Sequence, residues 1–254
     1  MAKIVVFDSG LGSISIIKEI KKIMKTDIVY FADQKNYPYG NKSQAQIASI
    51  IKKTINMLEE KFTPDVIVVA SNTPSLMLNL QTGKIIDVKP PLKLAQKKSK
   101  SKKIGILATK ASVNSKGLEN YVKENNIPKS YKIFKINGSN LVDLVESGKF
   151  LNNKKYCKKI IKKSLDDYII TEKIDAITLS STHLLFLKTL LEKEFPQVEF
   201  IDPGSLVAKK IFLKIKNKQS KRNSLRIFTS GDIINFKNKL NKIGIKNKIN
   251  YLST

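Results

Sequence analysis

Val66-Ile67-Val68-Val69-Ala70-Ser71-Asn72-Thr73 reads as a strand buried on both faces: four β-branched residues, a small one, then hydroxyls and an amide. The second half of the chain echoes it. Ala176-Ile177-Thr178-Leu179-Ser180-Ser181-Thr182-His183 is again a short apolar run that ends in small hydroxyl residues ahead of a helix-like segment. A fully buried strand is the signature of a parallel sheet covered by helices on both sides. In such sheets the ligand sits at the carboxyl ends of the strands. Polar residues directly after each strand are therefore the ones to inspect.

Outward from these two stretches the chain alternates between short β-branched runs and longer segments with helical spacing. The strand candidates are residues 3–7, 27–31, 66–70, 103–108, 131–135, 176–179, 198–201 and 225–229. The helical candidates are 12–24, 43–61, 73–79, 115–125, 139–147, 153–172, 183–195, 204–216 and 232–243. This predicts an α/β fold with parallel sheets. The 254 residues suit one large domain or two compact ones. Lys89-Pro90-Pro91 and the basic run Lys97-Lys98-Ser99-Lys100-Ser101-Lys102-Lys103 fall between the two echoing halves, as a crossing between domains would.

Composition removes several classes of function. One cysteine, Cys157, excludes a disulfide framework and any multi-thiolate metal site, and one histidine, His183, excludes a zinc site built from several imidazoles. Met1-Ala2-Lys3 leads straight into a short strand, so no secretory signal is expected, and the longest uncharged stretch, 66–83, is too polar for a membrane span. A soluble protein of the reducing cytoplasm is the expectation. The net charge of +26 suggests nucleic acid or an anionic surface. Against that, only two of the 47 cationic residues, Arg222 and Arg226, are arginines, and the lysines are scattered over helix-like stretches without aromatic interleaving. The charge reads as a solvated surface.

The strand tips carry the chemistry. Asp8-Ser9-Gly10-Leu11-Gly12-Ser13 follows the first strand and opens a helix, whose free N–H groups suit a carboxylate. It lacks the third glycine of a dinucleotide fingerprint. Asp8 or Ser9 as a plain helix cap is the alternative. Asp33-Gln34-Lys35-Asn36-Tyr37-Pro38-Tyr39-Gly40, after the second strand, has the composition of an ordinary turn. Ser71-Asn72-Thr73 and Ser181-Thr182-His183 offer groups suited to a small polar ligand. His183 is a general acid/base or a capping residue.

Taken together, Asp8-Ser9-Gly10, Pro38-Tyr39-Gly40, Ser71-Asn72-Thr73 and Ser181-Thr182-His183 resemble the motifs of glutamate racemases, in the cofactor-independent aspartate/glutamate racemase superfamily. Ile104-Gly105-Ile106-Leu107-Ala108-Thr109, Leu144-Val145-Glu146, Ile201-Asp202 and Phe228-Thr229-Ser230-Gly231-Asp232 extend the match, in order, from residue 4 to about 243. The resemblance implies two flavodoxin-like domains related by a pseudo-twofold, with a ligand cleft between them. The domains would be 1–95 plus 207–254, and 96–206. It also implies a homodimer, a free acidic amino acid (glutamate or aspartate) as substrate, and racemisation with no cofactor and no metal. In the family one thiolate removes the α-proton and a second thiol delivers a proton to the opposite face. Asp8 and His183 would assist them, with Glu146 a further candidate. Ser9, Pro38, Tyr39, Gly40, Asn72, Thr73, Thr109 and Thr182 would hold the substrate.

The chain departs from the family where the chemistry happens. Ser71-Asn72-Thr73 stands for Cys-Asn-Thr, and Ser180-Ser181-Thr182-His183 for Gly-Cys-Thr-His, so both catalytic cysteines are serines. Asn137-Gly138 replaces a frequent Cys-Pro and Leu184-Leu185 the usual Tyr-Pro. Cys157, in a lysine-rich helix, is remote from any strand tip. A thiol has an appreciable thiolate fraction near neutrality, whereas a serine hydroxyl needs activation by an adjacent base. His183 can act so at one face, and no second histidine exists for the other. Three readings stay open: serines introduced into a racemase, a natural non-catalytic acidic amino-acid binder or regulator, or weak or different chemistry with Asp8 and His183 as direct acid/base groups. A basic nucleic-acid-associated protein is the fourth and least favoured.

Overall fold

A computed structural model describes residues 2–78, 80, 83–218 and 220–254. Among the described residues ten strands run in chain order: β1 (Lys3–Asp8), β2 (Asp27–Ala32), β3 (Val66–Val69), β4 (Ile85–Asp87), β5 (Lys103–Ala108), β6 (Lys132–Asn137), β7 (Ala176–Leu179), β8 (Glu199–Ile201), β9 (Ser224–Thr229) and β10 (Ile249–Tyr251). They form two separate sheets, ordered β10-β9-β2-β1-β3-β4 and β6-β5-β7-β8, and every pairing is parallel. The chain divides accordingly into two compact units, Met1–Val88 with Gly204–Thr254, and Lys89–Pro203.

The two units share one plan. In each, the first strand lies between the second and the third, and the fourth follows the third, the flavodoxin-like order. The registers match as well. Ile4 pairs with Val66 and Phe7 with Val69 in the first unit, and Ile104 pairs with Ala176 and Leu107 with Leu179 in the second. The next backbone bond repeats too: Ala70 N–H donates to Phe7 O at 2.8 Å, and Ser180 N–H to Leu107 O at 2.8 Å. The echo at 66–73 and 176–183 is thus a repeat of topology and register. The first unit adds β9 and β10 from the end of the chain.

The continuous apolar runs follow from this burial. Ile4 through Phe7, Val66 through Val69 and Ala176 through Leu179 are fully buried, because helices cover both faces of a parallel sheet. The helix Ser13–Ile23 buries Ile14, Ile16, Ile17 and Ile20, spaced for one stripe, and packs against the helix Gly204–Ile215, which buries Val207, Ala208, Ile211 and Ile215. That contact brings the end of the chain back onto the first unit. Ser43 starts the helix Gln44–Phe62 with a reciprocal cap shared with Gln46.

Differences from the sequence reading are local. β4 and β10 are three residues each and neither is expected from the sequence, whereas the equally short β8 lies in the apolar run read at 198–201. The segment after Asn153 is α-helical over Lys154–Asp166 and ends in a π-helical turn, Asp167–Thr171. After Ser181 the chain tightens into a 3₁₀ stretch, Thr182–Leu187, and becomes α-helical only over Lys188–Glu194. The helix expected to end at Asn79 spans Asn72–Met77, and Asn79 lies outside the described residues, as do residues 81 and 82 of the uncharged stretch.

The basic run at 97–103 is no free linker. Its first part ends the helix Leu92–Lys98, which packs on β7 and β8 with Leu92 and Ala95 buried. Its second part is a turn gathered by one carboxylate. Asp175 Oδ1 accepts from Ser99 Oγ at 2.6 Å and Ser101 Oγ at 2.8 Å, and Oδ2 from the N–H groups of Lys100 at 2.8 Å and Ser101 at 2.7 Å. Desolvation pushes the Asp175 carboxyl up, but these hydrogen bonds outweigh it and hold it below its ordinary value. Asp175→Asn is expected to cost about 1–2 kcal/mol at neutral pH by urea unfolding. A depressed carboxyl stabilises only while ionised, so the difference should shrink as pH falls below about 4.

Candidate active site

The carboxyl ends of β1, β2 and β3 place three predicted segments side by side at one edge of the first sheet. Asp8 closes β1 and is 1% exposed. Its Oδ1 accepts from Gly10 N–H at 3.2 Å and its Oδ2 from Ser13 N–H at 2.8 Å. The plainer alternative for Asp8, an anchor for the helix start, is therefore present in the structure, and Gly12 at the cap position has no side chain to do that work. Ser9 beside it is buried, and Tyr30 on β2 donates its hydroxyl to Gly10 O.

After β2 the chain makes two 3₁₀ turns, Gln34–Asn36 and Tyr39–Asn41, joined across a cis Tyr37–Pro38 bond. Tyr39 is buried, with Pro38 and Gly40 half-buried on either side of it. Its hydroxyl donates to Asp33 Oδ2 at 2.9 Å. Asp33, which the sequence offered only as part of a turn, organises this segment. It is fully buried and accepts from Asn36 Nδ2 at 2.9 Å on each oxygen and from Ser230 Oγ at 3.1 Å. Ser230 also accepts from Lys35 N–H at 3.1 Å, so the turn bearing Pro38-Tyr39-Gly40 is tied to the returning end of the chain. The available signal was an acidic residue directly after the second strand. Burial first, and then the Asp33 and Asp8 carboxylates, push the Tyr39 phenol well above its ordinary value.

Beyond β3, Ser71 caps the helix Asn72–Met77, which packs against the Tyr39–Asn41 turn. Thr73 is buried, and Ser75 Oγ donates to Ser71 O at 2.7 Å while accepting from Val88 N–H at 3.2 Å. Asn72 is the unusual member. It is 3% exposed, and neither Oδ1 nor Nδ2 has a hydrogen-bond partner among the described residues. A buried amide with both ends unmatched carries a penalty of about 1–3 kcal/mol per group. A ligand offering both an acceptor and a donor would remove it.

The second unit repeats the arrangement at the tips of β5, β6 and β7. Thr109 caps the short helix Lys110–Val113, with Oγ1 accepting from Ser112 N–H at 3.3 Å, so its hydroxyl has a structural task. Ser181 occupies the place of Ser71, and the backbones coincide: φ −140°, ψ 127° at Ser71 and φ −146°, ψ 131° at Ser181. Neither serine bonds its own helix start. Ser180 is fully buried, its hydroxyl 2.8 Å from Thr178 Oγ1, which gives this extra polar group a partner inside the sheet. Thr182 is buried next to Ser181. His183 and Glu146 are each 8% exposed, and His183 Nε2 lies 2.6 Å from Glu146 Oε1. The helix Ser139–Glu146 brings the carboxylate there by packing on the Thr182–Leu187 turn.

Cys157 takes no part. It is fully buried among Leu141, Val145, Ile161 and Leu165, where desolvation raises its thiol above the ordinary value. Among the described residues no three histidines, cysteines or acids gather as a metal site, and no helix is long and apolar enough to cross a membrane.

No protein-family model matches the chain. A glutamate racemase of Leptospira borgpetersenii is 30% identical over 231 residues, covering 88% of this chain and 86% of its own. The structure of a glutamate racemase from Aquifex pyrophilus superposes with a TM-score of 0.73 at 27% identity, covering 98% of each chain. That of the glutamate racemase isoform RacE1 from Bacillus anthracis gives a TM-score of 0.84 at 23% identity over 100% of this chain and 97% of its own, a likeness of fold.

The Asp33–Tyr39 contact yields a direct test. In alkaline spectrophotometric titration, one phenol should stay un-ionised well past the usual tyrosine range near 10 until the protein unfolds. Tyr39→Phe should remove that late step and cost about 1–2 kcal/mol in urea unfolding, because Asp33 loses a buried donor.

Proposed function

The chain belongs to the glutamate racemase family, and we propose that it binds free glutamate at these strand tips as a racemase scaffold whose two-base interconversion is impaired by Ser71 and Ser181. The observation that carries the proposal is the buried, unmatched amide of Asn72, directly after the first of two serines with the same backbone conformation at equivalent strand ends. An α-amino acid supplies a carboxylate acceptor for Nδ2 and an ammonium donor for Oδ1, which are the two groups that amide lacks. Thr73 would add a hydroxyl, and Thr182 stands at the place in the second unit that Asn72 holds in the first. Ser9 would offer a second carboxylate its hydroxyl. Pro38, Tyr39 and Gly40, held by Asp33, would close the site over the ligand.

Racemisation through two bases needs one group that takes the α-proton and another that supplies a proton from the opposite side. The family does this with thiols, a few per cent of which are ionised near neutrality. A serine at each position removes both proton carriers while leaving the surrounding polar groups intact. A cysteine elsewhere does not compensate, since Cys157 is locked in the core of the second unit. The site then binds the substrate with slow chemistry, and the scattered lysines form a solvated surface.

Two outcomes test this reading. Ser71→Cys/Ser181→Cys should raise the interconversion of L- and D-glutamate by at least about 100-fold, followed by circular dichroism of the amino acid. Asn72→Ala should weaken glutamate binding by about 10-fold or more by calorimetry, in both backgrounds. A double revertant that binds glutamate and does not interconvert it would overturn the racemase reading.

A further inference from the structure

Most of the surface charge is plain solvated lysine. On one face of the first unit it comes together with exposed apolar side chains. We propose that this face, made by the helices Ser13–Ile23 and Gly204–Ile215, docks the chain on an anionic lipid surface, its leucines entering the headgroup layer and its lysines meeting lipid phosphates.

The helix Gly204–Ile215 carries the argument. Its buried stripe is Val207, Ala208, Ile211 and Ile215. At about 100° per residue, Leu206 and Leu213 fall about 20° apart and opposite that stripe, on the crest farthest from the core. Their exposure agrees with this, at 40% for Leu206 and 61% for Leu213. Lys209 and Lys210 flank the crest, one on each side, and both are exposed. Residues 204–218 hold five lysines and no acid. Lys214, further round the helix, turns aside and donates to Gly83 O. The neighbouring helix Ser13–Ile23 packs along this one and continues the face. Its outward residues are Lys18, Lys22 and Ile23, the last 47% exposed, and its one acid, Glu19, is paired with Lys22.

The combination selects the partner. Nucleic acid would hold the crest leucines against a charged phosphate backbone, which offers them nothing apolar. A second copy of the same face would set lysines against lysines. A bilayer with anionic headgroups has both layers in the required order: phosphates at the depth of the lysine ammonium groups, and acyl chains just beneath, where the leucines reach. Lysine suits such a surface, because it meets phosphate as a point charge and needs no fixed fork geometry.

The test mixes the full chain with vesicles of equal parts phosphatidylglycerol and phosphatidylcholine, with vesicles of phosphatidylcholine alone, and with duplex DNA. Vesicle binding is read by co-sedimentation and DNA binding by fluorescence anisotropy. Partition onto the anionic vesicles should exceed that onto phosphatidylcholine by at least about 10-fold. Leu206→Ser/Leu213→Ser keeps the net charge and should lower it by about 10-fold or more. Lys209→Gln/Lys210→Gln should lower it by a similar factor. Lys162→Gln/Lys163→Gln removes the same charge from an exposed helix of the second unit and should leave it within about two-fold. All six positions are exposed, so each variant should keep the parent's urea midpoint, and Leu213→Ser alone reads the same crest with a smaller change. No preference for anionic vesicles, or a preference that the leucine variants do not reduce, overturns the proposal. DNA binding that needs Lys209 and Lys210 and ignores the leucines overturns it in favour of a nucleic-acid face. A dimer in solution that Leu206→Ser/Leu213→Ser dissociates overturns it in favour of an interface between copies.

Discussion

The pairing of the first strand with the third, repeated in both units, is the constraint on which the site depends. Parallel hydrogen bonding between β1 and β3, and between β5 and β7, ends each pair at the same level: Phe7 opposite Val69, and Leu107 opposite Leu179. One further backbone bond, from Ala70 to Phe7 and from Ser180 to Leu107, then sets the residue that leaves the sheet. That residue is Ser71 in one unit and Ser181 in the other, with nearly the same φ and ψ. Because a strand alternates its side chains with a period of two, a slip of one residue would turn each serine away from the sheet edge. The fully buried runs Val66–Val69 and Ala176–Leu179 make such a slip costly, since it would exchange core contacts on both faces of the sheet at once.

Much of this was legible in the sequence because buried parallel strands leave a plain record. Eight of the strands announce themselves as apolar runs, and the polar residues that end them mark the site edge. The parts that stayed hidden have physical reasons. β4 and β10 are three residues long, and β10 lies between lysines and polar residues rather than in an apolar run. The lysine run near residue 100 looked like a solvated crossing because its organiser, Asp175, is distant in sequence and reaches it only through folding. Asp33 was masked by composition: Asp, Asn, Tyr, Pro and Gly read as a turn, and nothing local reveals that the carboxylate is buried under Tyr39, Asn36 and Ser230. The Glu146–His183 contact spans 37 positions and came from the family resemblance, not from any pattern of spacing.

Ser and Cys are similar in shape and differ in chemistry. Ser71 and Ser181 stand on nearly the same backbone, followed by an amide in one unit and a hydroxyl in the other. Where Ser180 adds a hydroxyl to the sheet interior, Thr178 satisfies it, so the core bears no unmatched group at that point. Among the described residues, the buried polar groups left without a partner include the Asn72 amide, which stands at the site itself and lacks partners at both ends. An open amide at a strand tip is what the proposed amino-acid ligand would match.

The most direct test of this account is a crystal structure of the chain grown with saturating glutamate. The account predicts one amino acid with its polar groups within hydrogen-bond distance of Asn72 Oδ1 and Nδ2. Saturating glutamate with the site empty, and the Asn72 amide bonded to its own protein, would contradict it.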